Sequence, residues 1–128
     1  MKSKINKYGL TALKSVENYK NYYSIIEIWS RASKEVFETK SSQEKSCPKN
    51  TFLGLCEAGL VKGVPKGNYT KSVKNKRYAL KAVKVLISNP NKIFTSKELW
   101  EQLELEDKKH NSQMDVILAL WENDLIVK

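Results

Sequence analysis

The stretch CPKNTFLGLCEAGLVKGVPKGNYT, residues 47–70, decides how the chain divides into helices. Pro48 suits the first turn of a helix, because the N–H that proline lacks would have no partner there. Ser46 or Cys47 would then be the N-cap. A buried face is predicted by three apolar residues at helical spacing: Phe52, Leu55 and Cys56.

The same stretch ends this helix and delays the next one. Gly59 followed by apolar Leu60 is typical of a helix stop, in which the glycine adopts the left-handed conformation. Two further glycines and a proline predict an irregular loop over about residues 61–72. Gly54 lies within the helix, where alanine is the better helix former. We therefore expect Gly54→Ala to be tolerated.

Apolar residues at three- and four-residue spacing continue on both sides and predict further helices. Thr95 to Glu98 form a capping box ahead of the fifth helix. We expect one mostly α-helical domain over residues 1–128 with about six helices. Its parts are N-terminal helices at about 4–60, the basic Gly/Pro loop at about 61–72, and a C-terminal half at about 73–128.

Length and cysteine content fit one intracellular domain. The chain has 128 residues, the usual size of a single domain. Cys47 and Cys56 would lie about 13 Å apart on one helix, too far for a disulfide, so we expect reduced thiols and a cytoplasmic location. The chain shows neither a signal-peptide pattern nor the run of about 20 apolar residues that spans a bilayer, so we expect no membrane association.

Charge is distributed unevenly along the chain. The net charge is +9, and residues 58–97 contain ten basic residues and no acidic one. Residues 98–128 contain eight acidic and three basic residues. A polyanion would be attracted to the basic middle segment, although the same lysines could simply form a solvated face.

Tyrosines interleaved with the basic residues favour nucleic acid as the polyanion, because aromatic rings can stack on unpaired bases. Lys74, Arg77, Lys81 and Lys84 fall on one stripe of a helix. His110 and Asn111 add hydrogen-bond donors near the start of the last helix. The candidate nucleic-acid or anion-binding residues are Lys49, Lys62, Lys66, Tyr69, Lys71, Lys74, Lys76, Arg77, Lys81, Lys84, His110 and Asn111.

Other chemistry has weaker support in the sequence. Glycines at 59, 63 and 67 with intervening lysines could cradle a phosphate, but their spacing does not match a P-loop, and ordinary turns explain each one. Cys47, His110 and Asp115 could in principle support nucleophilic catalysis, yet nothing in the sequence brings residue 47 near residue 110. The cysteines and the single histidine lack zinc-ligand spacing. We expect no catalytic residue, metal or cofactor.

Two segments, CPKNTFLGLCEAGLVKGVPKGNYTKSVKNKRYA and KKHNSQMDVILALW, resemble a family of small bacterial proteins of unknown function. The resemblance covers nearly the whole chain and implies an intact natural domain. The family has no assigned activity, so the resemblance implies no catalytic residue.

Residues 74–128 also resemble the front part of a winged helix-turn-helix domain, in which KIF at 92–94 would pair with LIV at 125–127 as two short strands. The sequence departs from that pattern because it stops where the wing would begin. The helix in the recognition position, NSQMDVILALWEND, contains three acids and no base, which is unsuited to a groove between phosphates.

These observations predict a non-catalytic protein that binds nucleic acid through its basic middle segment. The alternative is a protein-interaction module that uses the acidic C-terminal face. A third hypothesis is an enzyme or phosphate-ligand binder that uses the Gly59–Gly67 loop and Cys47.

Overall fold

The computed structural model describes residues 5–20, 23–105 and 108–128 and confirms a mostly helical fold. These residues form six helices of seven or more residues and one single-turn helix. In chain order they are α1 (Lys7–Asn18), α2 (Ile25–Val36), α3 (Lys40–Gln43), α4 (Ser46–Glu57), α5 (Val73–Ser88), α6 (Ser96–Gln102) and α7 (Gln113–Glu122). The predicted start of the first helix near residue 4 lies outside the described residues.

Helix α7 is the centre of the core. Seven of its ten residues are buried, and it contacts α1, α4, α5 and α6. Its sequence is apolar nearly all round, which is typical of a helix enclosed by others. Trp29 of α2 stacks on Phe52 of α4 with ring centroids 5.0 Å apart. One apolar cluster thus extends from Ala12 to Ile126 and includes residues from both halves of the chain.

The helix stop at Gly59 is confirmed in detail. Gly59 has φ of +77°, and its N–H donates to the Cys56 carbonyl. The N–H of Leu60 donates to the Leu55 carbonyl, which completes a Schellman motif. The predicted N-cap was wrong: α4 begins at Ser46, and Lys45 holds the cap position without a side-chain hydrogen bond.

We expect Gly59→Val to lower the free energy of unfolding by about 1–3 kcal/mol, because a β-branched residue resists positive φ. Space does not limit the substitution, since the nearest atom to an added Cβ is 3.4 Å away. The measurement is thermal and urea unfolding of the variant beside the wild type. An unchanged midpoint would mean that the backbone leaves the left-handed conformation without cost.

The expectation that Gly54→Ala is tolerated conflicts with a close contact that the sequence does not show. A Cβ at Gly54 would lie 2.7 Å from the Cα of Lys76 on α5. Glycine therefore allows α4 and α5 to approach closely, and any added methyl group must separate the two backbones.

We expect Gly54→Ala to destabilise the protein by about 1–2 kcal/mol, because overpacking exceeds the gain in helix propensity. Thermal melts decide between the two effects. A melting temperature above that of the wild type would show that α5 shifts at no cost and that helix propensity dominates.

The two strands predicted at residues 92–94 and 125–127 do not pair, so this part of the winged-helix prediction was wrong. The β-bridge within the described residues joins Val61 to Ile126 in the antiparallel sense. Lys62 N–H donates to the Leu125 carbonyl, and Val127 N–H donates to the Leu60 carbonyl, both at 2.8 Å. The end of the chain is therefore attached to the Gly/Pro loop.

Candidate nucleic-acid interface

One face of α5 is buried and the opposite face is basic. The buried face consists of Asn75, Tyr78, Ala79, Ala82, Val83 and Leu86. Lys74, Arg77, Lys81 and Lys84 are all exposed on the outer side, as the stripe in the sequence predicts. Ser72 begins the helix by accepting a hydrogen bond from the Asn75 N–H at 3.3 Å.

A groove of about 750 Å³ runs along this outer face. Val73 and Leu80 supply its apolar lining, and Val73 is 68% exposed. The remaining lining residues are polar or charged: Glu57, Thr70, Ser72, Lys76, Arg77, Lys81 and Lys84. Lys74, exposed on the same helix, does not line the groove itself, and we use the name α5 groove for the groove together with Lys74. Most of the surface that lines the groove is apolar, and lysine and arginine side chains contribute to that lining.

Glu57 fixes one end of the α5 groove. Its Oε1 accepts hydrogen bonds from the N–H groups of Tyr69 at 2.8 Å and Thr70 at 3.2 Å. Its Oε2 lies 2.7 Å from the Nζ of Lys76. Only 13% of the Glu57 side chain is exposed. The hydrogen bond from Lys76, together with those from the two amides, lowers the pKa of Glu57 to about 2. This carboxylate joins α4, the Gly/Pro loop and α5.

Several predicted binding lysines are already engaged in contacts within the protein. Lys76 is paired with Glu57, and Lys62 lies 3.2 Å from Asp124. The Nζ of Lys81 donates to the Leu103 carbonyl at 2.7 Å. Within the described residues, no hydrogen-bond or ion-pair partner is found for the side chains of Lys49, Lys66, Lys71, Lys74, Arg77 and Lys84. Of these, Lys49 is half-buried on α4 and the other five are exposed.

Several backbone amides of the Gly/Pro loop donate hydrogen bonds within the protein. N–H groups of Lys62, Val64 and Gly67 donate to carbonyls of Leu125, Val61 and Glu57. Like the amides of residues 59 and 60 in the helix stop, these amides donate to carbonyls of the protein itself. This arrangement does not support a phosphate-binding nest, which needs successive amides directed outwards.

His110 caps α7 instead of pointing at solvent. Ser112 holds the N-cap position with φ of +64°, but its side chain makes no capping hydrogen bond. The Nε2 of His110 accepts the Met114 N–H at 3.0 Å, and its ring lies 5.2 Å from that of Trp100. Burial lowers the pKa of His110, while Asp115 opposes the shift and Lys45 adds to it.

A buried polar network, which the sequence analysis missed, connects this segment to α5. Gln113 accepts the Asn111 N–H and donates to the Asn75 side chain at 3.4 Å. Asn75 in turn donates to Ser72 at 3.1 Å. The two conspicuous segments of the sequence therefore meet at the N-terminal ends of α5 and α7. The signal in the sequence was a polar residue on the otherwise apolar face of each helix, Asn75 on α5 and Gln113 on α7.

We expect the stability of the protein to fall as pH drops below about 6.5, because unfolded His110 then binds a proton that the folded state resists. Only the neutral ring accepts the Met114 N–H. His110 is the sole histidine. Thermal unfolding at pH 7.5 and 5.5 should show a larger loss in the wild type than in His110→Gln. Equal losses would mean that His110 titrates normally.

The two thiols lie in different surroundings. Cys47 is half-buried, and no hydrogen bond joins it to His110 in the described part of the chain. Cys56 is buried in the core, and burial raises the pKa of its thiol. Among the described residues, no three His, Cys, Asp or Glu side chains are placed to hold a metal ion. No helix in those residues has the length and apolarity to cross a membrane.

Comparison with known proteins supports the resemblance in the sequence. The model of a family of unknown function matches residues 5–127. No curated protein and no solved structure matches the chain.

Proposed function

The chain belongs to the family of unknown function DUF6979, and we propose that it binds nucleic acid through the α5 groove without catalysing a reaction. The observation that carries the proposal is a row of exposed cations on α5 with no partner in the described residues: Lys74, Arg77 and Lys84. The only acid among the groove residues, Glu57, is neutralised by Lys76. The groove therefore presents uncompensated positive charge.

The helix also supports the proposal through its rigidity. Lys74 and Lys84 are ten residues apart, so they are separated by about 15 Å along the axis of α5. Cations held on a helix retain their spacing without the entropic cost of ordering a loop on binding. Lys71, exposed two residues before the helix begins, adds a fourth cation without a partner in the described residues. We expect about four phosphate contacts.

Salt dependence tests the proposal. Four contacts predict that log K falls with log salt concentration with a slope of about −3.6 on duplex DNA. The experiment is a fluorescence anisotropy titration of a labelled 20-base-pair duplex at 50, 100 and 200 mM salt. Binding weaker than about 10⁻⁴ M at the lowest salt, the weak limit of non-specific binding, would reject the proposal.

A protein-interaction module remains the second candidate, favoured by one observation. A groove of about 560 Å³ beside α6 is lined by Trp100, Glu101, Glu104, Leu105 and Lys108. An acidic rim around a half-buried tryptophan is suited to a basic peptide. If the duplex does not bind while a labelled oligolysine peptide does, and Glu101→Gln with Glu104→Gln abolishes that binding, this function replaces the first.

A further inference from the structure

The aromatic residues of the basic segment all make contacts within the protein. Tyr69 packs against its own loop: a Cβ on Gly67 would lie 2.8 Å from the Cζ of the tyrosine ring. The Tyr69 hydroxyl donates to the Pro65 carbonyl at 2.6 Å, and its N–H donates to Glu57. Burial raises the pKa of this tyrosine. The ring therefore closes the Gly/Pro loop.

The other two aromatic rings in residues 58–97 are in the core. Tyr78 is 6% exposed and meets Trp100 edge-on at 5.5 Å. Phe94 is 2% exposed, with the Nζ of Lys92 4.8 Å from its ring centroid. The large hydrophobic residues that are exposed in this segment are aliphatic: Val73, Ile87 and Ile93. The sequence expectation that Tyr69 stacks on bases therefore lacks structural support.

Without stacking, affinity depends on charge. Proteins that hold single strands gain affinity from each base that stacks on an aromatic ring, and the three rings of this segment are buried or half-buried. A duplex carries one charge per about 1.7 Å of axis, against about 3.4 Å for one strand. The charge density along a duplex is thus about twice that of one strand, which strengthens the attraction of the duplex for the row of about 15 Å between Lys74 and Lys84.

We infer that the ligand of the α5 groove is a nucleic-acid duplex, recognised by its phosphate backbone without readout of the bases. The inference rests on the proposed function and specifies its ligand. It also explains why the basic segment combines lysines with buried aromatic rings. Lys74, Arg77 and Lys84 would contact phosphates, while Tyr69 and Tyr78 support the loop and helix that carry them.

The preference for a duplex has a predictable size. With four contacts, the slopes differ by about 0.8 between a duplex and a single strand, because the coefficients per phosphate are about 0.9 and 0.7. If the two affinities converge at 1 M salt, the duplex binds about 11-fold more tightly at 50 mM salt and about 4-fold more tightly at 200 mM.

The test compares four labelled 20-nucleotide ligands of mixed sequence by anisotropy at 50 and 200 mM salt: a DNA duplex, an RNA duplex, a single DNA strand, and the same strand with abasic sites. We expect both duplexes to bind within about threefold of each other. Each should exceed the single strand by about tenfold at low salt. The abasic strand should bind like the intact one.

Two results would overturn the inference while leaving the proposed function intact. One is a single strand that binds as tightly as the duplexes and loses affinity when made abasic, which would show that bases are stacked. The other is a preference of more than about threefold between DNA and RNA duplexes, which would show that more than the backbone is read. Failure of all four ligands to bind would instead reject the proposed function.

Discussion

Replacing Lys74, Arg77 and Lys84 together by glutamine should reduce duplex affinity on the order of 10³-fold at 50 mM salt. Each lost phosphate contact removes about 0.9 from the salt slope, so the slope should flatten by about 2.7. Glutamine has nearly the helix propensity of lysine and arginine, so α5 should remain intact. Lys81 is left unchanged because its Nζ donates to the Leu103 carbonyl.

The matched control changes the same number of charges elsewhere. Lys7, Lys34 and Lys40 are exposed on α1, α2 and α3, and no side-chain partner for them is found in the described residues. The control variant Lys7→Gln, Lys34→Gln and Lys40→Gln has the same net charge as the α5 variant. For this control, the slope of log K against log salt concentration should stay close to that of the wild type. Equal losses in both variants would mean that net charge, and not the α5 groove, attracts the duplex.

Glu57→Ala should lower the free energy of unfolding by about 2–4 kcal/mol, because it removes a charged hydrogen bond and leaves two amide donors without their acceptor. Those donors are the N–H groups of Tyr69 and Thr70, which are half-buried. Lys76, 32% exposed, can recover part of its hydration, which limits the loss. Urea unfolding at pH 7 measures the effect.

A pH series separates the charge of Glu57 from its shape. Since its folded pKa is about 2 and its ordinary value is 4.5, its charge stabilises the protein above pH 4.5. That contribution is lost as pH falls from about 4.5 to about 2. Glu57→Gln keeps the volume and an acceptor oxygen, so it should lose less stability than Glu57→Ala and lack this acid-dependent decline. An acid profile identical to that of the wild type would contradict the assigned pKa.

Local patterns were sufficient for most of the helical architecture. The stop at Gly59, the capping box at Thr95 and the basic stripe of α5 depend on residues within one or two helical turns of one another. Such interactions can be predicted from spacing alone, because the helix fixes which neighbours meet. The cap of α4 was misplaced by one or two residues, which is common where no side chain bonds the first amides.

Contacts between distant residues could not be predicted from the sequence. Spacing does not show that Ile126 pairs with Val61, or that Gly54 touches Lys76. The interpretation of Tyr69 changed for the same reason, because the sequence does not show that its hydroxyl donates to the Pro65 carbonyl. The basic stripe of α5 was predicted correctly. The sequence could not show which basic side chains of α5 have partners elsewhere in the fold, such as Glu57 for Lys76 and the Leu103 carbonyl for Lys81.

Lysine acetylation with and without a 20-base-pair DNA duplex, read by mass spectrometry at 50 mM salt, tests the central claim most directly. Lys74 and Lys84 are exposed and have no partner in the described residues, so both react readily in the isolated protein. We expect the duplex to protect both lysines severalfold and to leave Lys7 and Lys34 as reactive as before. Protection of Lys7 and Lys34 to the same extent, or a duplex that binds without protecting Lys74 and Lys84, would contradict the assignment of the α5 groove as the nucleic-acid interface.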